Sequence, residues 1–281
     1  MLTIILIIVF ILLILNPSIS SITILEASSI WFNKLVPILF PSLIIIDLLN
    51  NDKRLEALSL YLFPLFKRIF KIRYPKSSFI IILSIICGAP GSYKLIANSL
   101  DNNEIDITEA NSLSMAFSGF SLAYTIFILN SFNISIIFYY IIFILLAIFI
   151  MKYNNRGIIV SEYKKSIKRP ILKELLDSIN KNTNILISIL GIIIIFKLLI
   201  VLTNVNEVLY LFIEPLGGHN KFSSFIMKKK LKDGFITSSL SFLGLSIHLQ
   251  IYYIYDKLNY KKFLFFRFIS SCIYFLFFFI K

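Results

Sequence analysis

Long apolar runs recur along the chain, and they constrain its fold more than any other feature. Two clear examples, 134–151 and 263–280, approach the length of about 20 residues that a helix needs to cross a membrane. Of the 281 residues, 58% are hydrophobic and 15% are charged, whereas roughly a quarter are charged in an ordinary soluble domain. A soluble domain of this length could not bury so much apolar surface. The sequence therefore predicts an all-α polytopic membrane protein.

We expect about six full transmembrane helices together with re-entrant or broken helices. The six apolar runs are 2–15, 35–49, 110–129, 134–151, 184–202 and 263–280, and the interrupted segments are 77–100, 208–218 and 235–254. The first run lacks the basic start and the cleavage site of a signal peptide, so a retained helix is favoured over a cleaved one. The predicted regions are an N-terminal transmembrane repeat at 1–151, a basic cytoplasmic loop with an amphipathic helix at 152–183 and a C-terminal transmembrane repeat at 184–281.

The excess of positive charge is concentrated in two loops, and it indicates how the chain is oriented. The net charge is +13, and fifteen of the 28 basic residues lie in 52–76 and 152–181. Such loops stay in the cytoplasm and attract anionic lipid headgroups, so lipid rather than nucleic acid is the expected charged partner. If both loops are cytoplasmic, an even number of crossings separates them. The two clean spans between them then require 77–100 to enter and leave the membrane by the same side.

The larger basic loop also contains apolar residues at helical spacing. They are Ile171, Leu172, Leu175, Leu176 and Ile179. This spacing predicts an amphipathic helix that lies on the membrane surface.

A pair of matching motifs indicates an internal repeat. Residues 114–121 read Ser-x-x-Phe-x-Gly-x-Ser, and 239–246 read the same. Upstream, the Leu-Tyr-Leu-Phe of 60–63 recurs at 209–212, with proline-leucine just beyond each. Pro64 and Phe117 are 53 positions apart, whereas the matching Pro215 and Phe242 are 27 apart. On this alignment the first half therefore carries about one extra hairpin. Two pseudo-repeats, inverted relative to each other, are the favoured interpretation, and chance similarity in a chain rich in these residues is the alternative.

Proline and glycine interrupt the helices at corresponding places in the two halves, most clearly at 87–92. A broken helix frees N–H and C=O groups that lipid cannot satisfy. These groups must therefore face protein, water or a solute, and half-helix N-termini present positive partial charge to an anionic group. Such breaks are the best sequence indication of a transporter binding site.

With these motifs the chain resembles the sporulation integral membrane proteins of the YlbJ and SpoVV type, in the nucleoside-recognition "Gate" group. The resemblance covers about 26–267, nearly the whole chain. The matching pieces are Val36-Pro37 with Phe40-Pro41, Pro64-Leu65-Phe66, then Gly88, Pro90 and Lys94 in the hairpin, Glu214-Pro215-Leu216, and Gly244 to Gln250 with its glycine-x-x-x-histidine-leucine-glutamine pattern.

The resemblance implies a transporter of endospore formation, located in the mother-cell membrane that surrounds the forespore. It is similar to proteins that pass dipicolinic acid across the outer forespore membrane. The chain departs from the family pattern in the hairpin, where Gly91 comes one residue early and Tyr93 replaces an alanine. It also has 116–119, Ala-Phe-Ser-Gly, where the family tends to have two asparagines. These departures concern the polarity of the binding site and hence the solute.

We predict that solute-binding residues lie at and around the helix breaks. They are Gly88, Pro90, Gly91, Lys94, Ser118, Gly119, Glu214, Pro215, Gly244, His248 and Gln250. Lys94 follows the first break by one helical turn, and either binds a carboxylate or extends to the membrane interface. Glu214 is a functional candidate if it lies within the membrane and merely solvated if it is interfacial.

Two further polar groups have structural alternatives. Gly244 and His248 share a helix face, which favours a close helix contact with His248 hydrogen-bonded across it, and a solute-contacting role is the alternative. Lys197 and Asp47 both lie in apolar spans and could pair with each other.

The sequence argues against an enzyme. It has no metal-ligand cluster, no phosphate loop with its lysine and no nucleophile elbow, so neither a cofactor nor a metal is expected. The favoured function is transport of a small anionic solute, and a homo-oligomer is left open. A nucleoside-type carrier is one alternative, and a non-transporting membrane scaffold is the other.

Overall fold

The computed structural model describes residues 10–11, 13–50, 53–154 and 171–281. Within these ranges the chain is mostly helical and contains no β-strand. Most of the first apolar run, 2–15, lies outside the described residues, as does 155–170 of the basic loop.

The described helices are listed here in chain order. The first part contains α1 (Pro17–Ile30), a π-helical turn (Trp31–Leu35), α2 (Val36–Asn50), α3 (Lys53–Phe70), α4 (Pro75–Cys87), α5 (Gly91–Asp101), α6 (Ile107–Ala116), α7 (Leu122–Ser131) and α8 (Ile136–Asn154). The second part contains α9 (Ile171–Leu202), α10 (Glu207–Ile213), α11 (Pro215–Ser223), α12 (Lys229–Phe242), α13 (Leu245–Ile254) and α14 (Tyr260–Ile280).

Five stretches of the described chain are long and apolar enough to cross a membrane. They are Pro17–Asn50, Ile136–Asn154, Leu172–Leu202, Lys229–Ile254 and Tyr260–Ile280. The prediction of an all-α polytopic membrane protein is thereby confirmed.

The run 110–129 does not form the continuous span that its apolar character predicts. It is divided between α6 and α7, which are separated by 117–121. The break is stabilised locally because the Ser121 hydroxyl accepts a hydrogen bond from the amide of Tyr124 (3.3 Å) and caps α7. This crossing is therefore a pair of half-helices.

The prediction of a separate surface helix within 152–183 is also wrong for the described part of that loop. Residues from Ile171 onward form the first turns of α9, a single helix of 32 residues. Ser178 and Asn182 in these turns are buried and contact Asp47 of α2. Their polar contacts hold this part of α9 against α2.

A constant shift of 125 positions relates the two halves. It superimposes Pro90 on Pro215, Ser114 on Ser239 and Gly119 on Gly244. The pair α4–α5 then corresponds to α10–α11, α6–α7 to α12–α13, and α8 to α14. The hairpin is thus present in both halves.

The predicted match between 60–63 and 209–212 is therefore wrong. Residues 60–63 lie within α3, which continues through Pro64, whereas 209–212 lie in the first arm of the second hairpin. The two segments share four residue types but belong to different elements of the fold.

The two feet of the first hairpin, α4–α5, lie at the same end of the helix bundle. Lys76 at the start of α4 pairs with Glu104 just beyond α5, with 3.4 Å between Nζ and Oε2. Arg73 pairs with Asp106 in the same way (2.6 Å). The arms have 13 and 11 residues, too few to cross a membrane. This hairpin is therefore re-entrant, as the basic loops predict, and we call the end marked by these ion pairs the Arg73 end.

The second hairpin, α10–α11, opens at the opposite end of the bundle. Lys232 donates to the carbonyl of Ser223, the last residue of α11 (2.7 Å), and its ammonium lies 5.6 Å from the ring of Phe132, which follows α7. Lys230 donates to the carbonyl of Ile280 at the end of α14 (3.0 Å). We call this the Lys230 end.

The two halves consequently run in opposite directions through the bundle. The pair α6–α7 leads from the Arg73 end to the Lys230 end, and α12–α13 leads back. Lys257, which follows α13, pairs with Asp101 at the foot of the first hairpin (2.7 Å). This contact places the end of α13 at the Arg73 end. The repeat is therefore inverted, an arrangement found in many secondary transporters.

Cysteine labelling tests this topology. In a variant lacking Cys87 and Cys272, single cysteines replace exposed residues at Asn102 and Asp256 of the Arg73 end, or at Asn130 and Ser224 of the Lys230 end. A membrane-impermeant maleimide should label the first two from one side and the last two from the other. Labelling of the Asn102 and Asn130 positions from the same side would contradict the inverted arrangement.

Candidate functional site

The four helix breaks pack against each other in two pairs, one in each half. In the first half, the amide of Ala89 donates to the carbonyl of Gly119 (2.7 Å), so the tip of the hairpin contacts the break between α6 and α7. In the second half, a Cβ atom on Gly244 would collide with the ring of Pro215. Each hairpin tip therefore contacts the broken helix of its own repeat.

A glycine with a positive φ angle lies at each of these contacts. Gly88 has φ 62° and ψ −169°, and Gly244 has φ 77° and ψ 153°. Both lie in a region that glycine alone adopts readily. A Cβ atom on Gly88 would also meet the backbone of Phe120 and Ser121. The glycines thus permit the breaks and allow the backbones to approach closely.

Arg267, in the middle of α14, joins the two repeats. Its Nη2 donates to the carbonyl of Met115 (2.6 Å), and its Nη1 donates to those of Ser118 (2.9 Å) and Ser241 (3.2 Å). Met115 and Ser241 are in the last turns of α6 and α12, whose carbonyls have no partner within the helix. Only 3% of Arg267 is exposed. A buried cation thus caps one half-helix from each repeat.

Tyr93 connects the first hairpin to the same break. Its hydroxyl donates to the carbonyl of Ser114 (3.2 Å) and is also hydrogen-bonded to the Ser118 hydroxyl. Its ring packs edge-on against Phe263 of α14. Tyr93 therefore holds α5 beside the Arg267 contacts.

Glu214 lies in the corresponding hairpin of the second half and is buried. Its carboxylate accepts hydrogen bonds from the amides of Leu216 (3.1 Å) and Gly217 (2.7 Å), and so caps α11. Pro215 occupies the first position of that helix, where its missing N–H costs nothing. In this structure the Glu214 carboxylate is thus bound by amides two and three residues further along the chain.

His219 occupies the position in the second hairpin that Lys94 has in the first. The Tyr124 hydroxyl lies 3.0 Å from Nδ1, and the Ser239 hydroxyl lies 2.9 Å from Nε2. Ser239 donates to the carbonyl of Ile236 (2.8 Å), so we assign it as acceptor from Nε2–H, with Tyr124 donating to Nδ1. Because Tyr124 is in the first repeat and Ser239 in the second, this buried histidine links the two.

His248 has the packing role that its spacing from Gly244 favours. Its Nε2 donates to the carbonyl of Phe242 (2.7 Å), its Nδ1 lies 3.2 Å from the Tyr260 hydroxyl, and its ring stacks on that of Phe242. The histidine thus satisfies a carbonyl at the end of α12 and fixes the break.

Lys94 lies one helical turn after the first break, in a polar cluster with Asp47. Its ammonium pairs with the Asp47 carboxylate and also donates to Oδ1 of Asn182 (2.6 Å). Asp47 additionally accepts from Ser178 (2.5 Å) and from Asn182 (3.1 Å). The carboxylate that Lys94 binds here belongs to the chain itself.

The predicted pairing of Lys197 with Asp47 is wrong. Lys197 pairs with Glu26 of α1, with 3.2 Å between Nζ and Oε2. Glu26 is largely exposed, whereas the Asp47–Lys94 pair is buried.

Several buried polar atoms on the helices that begin or end at the breaks have no hydrogen-bond partner among the described residues. They are Oγ of Ser84, Ser92, Ser99 and Ser246, and Nε2 of Gln250. The helices α5 and α13, which carry four of these residues, pack against each other. Ser84 lines a small cavity with Gly119 and Phe120 at the first break. Unsatisfied buried polar atoms are unfavourable, so these atoms are candidates for contact with water or a bound molecule.

The structure brings most of the predicted site residues together at the breaks. Gly88, Pro90, Ser118 and Gly119 meet in the first half, and Glu214, Pro215 and Gly244 meet in the second, with His248 beside them. Gly91 begins α5 beside Ile46 of α2, near the Lys94 cluster. Gln250 lies farther along α13.

Sequence reasoning missed Arg267 as a site residue and gave too little weight to His219. The signal for Arg267 was present, because an ionisable residue inside an apolar run is a functional candidate by default. The shift of 125 positions places His219 at the position equivalent to Lys94. Without that shift, the sequence does not connect the two residues.

No group of three His, Cys, Asp or Glu side chains in the described parts of the chain could hold a metal ion. Comparison of the chain with protein-family models, with curated proteins and with solved structures gave no match.

A substitution at Gly88 tests the contact between the first two breaks. Gly88→Ala should destabilise the protein by at least about 1–3 kcal/mol, the cost of a glycine-only conformation, because the added Cβ also meets the backbone of Phe120 and Ser121. The control is Gly191→Ala in α9, where a Cβ has no neighbour within 4 Å. Thermal unfolding in detergent measures both, and equal unfolding temperatures would contradict the contact.

Proposed function

We propose that this protein is a secondary transporter for a small anionic solute. The observation that carries the proposal is the pair of inverted repeats, each with a re-entrant hairpin tip packed on a broken helix. In transporters built this way, one repeat moves against the other around a site at the breaks. Breaks of this kind are costly in lipid unless their backbone groups face protein, water or a solute. A non-transporting scaffold protein does not require such breaks.

The proposed solute site lies between the two repeats, at the breaks joined by Arg267. Arg267 contributes the buried positive charge, and Ser92, Ser246 and Gln250 contribute polar atoms that have no partner in the described part of the chain. The half-helices α5 and α13 begin at the breaks, so their N-termini add positive partial charge. An anion with several acceptor atoms suits such a site.

The resemblance to sporulation membrane proteins supports dipicolinic acid as the solute and the outer forespore membrane as the location. Dipicolinate is a rigid dianion with a carboxylate on each side of a pyridine nitrogen. It has no chemistry to undergo in passage, which is consistent with a protein that is not an enzyme. The basic residues at the Arg73 end are expected to contact anionic lipid headgroups in the cytoplasmic leaflet.

A nucleoside-type carrier is the second candidate, and one observation favours it. Lys94 is already neutralised by Asp47, so much of the polar surface near the breaks is made of uncharged groups such as Gln250 and the serines. A neutral solute rich in hydroxyl and amide groups would satisfy those atoms equally well.

Uptake by purified protein in liposomes separates these functions. We expect labelled dipicolinate to enter faster than in protein-free vesicles, and labelled uridine to enter at the protein-free rate. Gly191→Ala, where the added Cβ has no neighbour within 4 Å, should leave dipicolinate uptake unchanged. Uptake of uridine alone would establish the nucleoside carrier, and no uptake of either solute would favour the scaffold.

A further inference from the structure

We propose that Asp47 is a proton-binding site, and that its protonation is coupled to the binding of an anion by Lys94. This inference rests on the proposed transport function and adds its coupling ion, a proton moving in the same direction as the anion. Lys94 remains a cation throughout. The proton comes from water and binds to a carboxylate oxygen of Asp47, and no covalent bond to the solute forms.

The first observation is the completeness of the Asp47–Lys94 pair. The Asp47 side chain is 12% exposed and that of Lys94 is 6% exposed. One oxygen of Asp47, Oδ2, accepts hydrogen bonds from Lys94, Ser178 and Asn182. The cluster thus contains one negative and one positive charge, each largely removed from water, and is neutral as a whole.

The second observation is the location of the two partners. Lys94 is carried by α5, the second arm of the re-entrant hairpin, whereas Asp47 is in α2 and Asn182 is in α9. The pair therefore fastens the hairpin of the first repeat to two further helices of the bundle, α2 and α9. Movement of that repeat requires these contacts to be exchanged.

Electrostatics then link the anion to the proton. Lys94 lies one helical turn after the first break, where its amide donates to the carbonyl of Pro90. If an anionic solute at that break takes over Lys94, Asp47 is left as a buried carboxylate without a counter-ion, which is strongly unfavourable. Uptake of a proton by Asp47 removes that cost. Ser178 and Asn182 can still hydrogen-bond a protonated carboxyl group, through the hydroxyl and amide atoms that now surround it. Binding of the anion and of the proton are thus mutually favourable.

The surrounding charged groups offer Asp47 no other counter-ion at contact distance in the described residues. Lys181 of α9 lies near Lys94 but forms no ion pair with Asp47. Lys76 of α4 donates to the carbonyl of Asn50, one turn along α2 from Asp47 (2.9 Å), and is paired with Glu104. The neighbouring helices α6 and α13 contribute Glu109, which is held by Arg73, and His248, whose ring is held by Phe242 and Tyr260. Asp101 lies at the far end of α5 and pairs with Lys257.

Proton movement in liposomes tests the proposal. Dipicolinate is supplied outside, and a trapped pH-sensitive dye reports the interior. We expect dipicolinate uptake by the unaltered protein to acidify the interior, and an inward proton gradient to accelerate uptake. In Asp47→Asn, dipicolinate exchange at equal pH is measured as the reference, and dipicolinate-dependent acidification relative to that exchange should fall to the level of protein-free vesicles.

Lys197→Met is the matched control, because this lysine also pairs with a carboxylate but lies outside the cluster. It should retain both exchange and acidification. Dipicolinate uptake by the unaltered protein without acidification would overturn the coupling and leave the transport function standing, whereas absence of dipicolinate uptake would overturn the function itself. Acidification that persists in Asp47→Asn would also overturn the proposal. The measurement on the unaltered protein decides the question even if the variant does not fold.

Discussion

A broken helix in an apolar surrounding leaves backbone carbonyls without partners, and the rest of this structure depends on how they are satisfied. Arg267 is the main hydrogen-bond donor to these carbonyls, because its guanidinium has several donors in a fixed plane and binds three carbonyls at once. Two of the carbonyls, those of Met115 and Ser241, come from α6 and α12, one in each repeat, and the third, that of Ser118, lies in the break after α6. The same contact therefore satisfies the breaks and holds the two halves of the protein together.

The inverted repeat gives these contacts a functional meaning. Two similar units that face opposite ends of the bundle can exchange roles, so that a site between them opens first to one side and then to the other. His219 and Lys94 show how far the equivalent positions have diverged. His219 links the two repeats to each other, whereas Lys94 links one repeat to α2 and α9. We propose that the Lys94 contacts, which differ from those of His219, couple transport to a proton.

Much of the fold could be predicted from the sequence, because apolar length and basic loops follow directly from the physics of the bilayer. The hairpin around Gly88 and Pro90 was predictable for the same reason. The break at Gly119 was missed because the flanking residues are as apolar as those of an intact span. Yet its counterpart at Gly244 was recognised as interrupted. The partners of Arg267, Lys94 and Lys197 depend on contacts far apart in the chain, which local patterns do not contain.

Distances between spin labels at the two ends test the central claim, that the repeats move against each other around the breaks. One pair of labels, at Asn102 and Asp256, spans the repeats at the Arg73 end, and another, at Asn130 and Ser224, spans them at the Lys230 end. Pulsed electron resonance in liposomes should show that adding dipicolinate shortens one distance and lengthens the other. Two unchanged distances, under conditions where dipicolinate is demonstrably bound, would contradict the account.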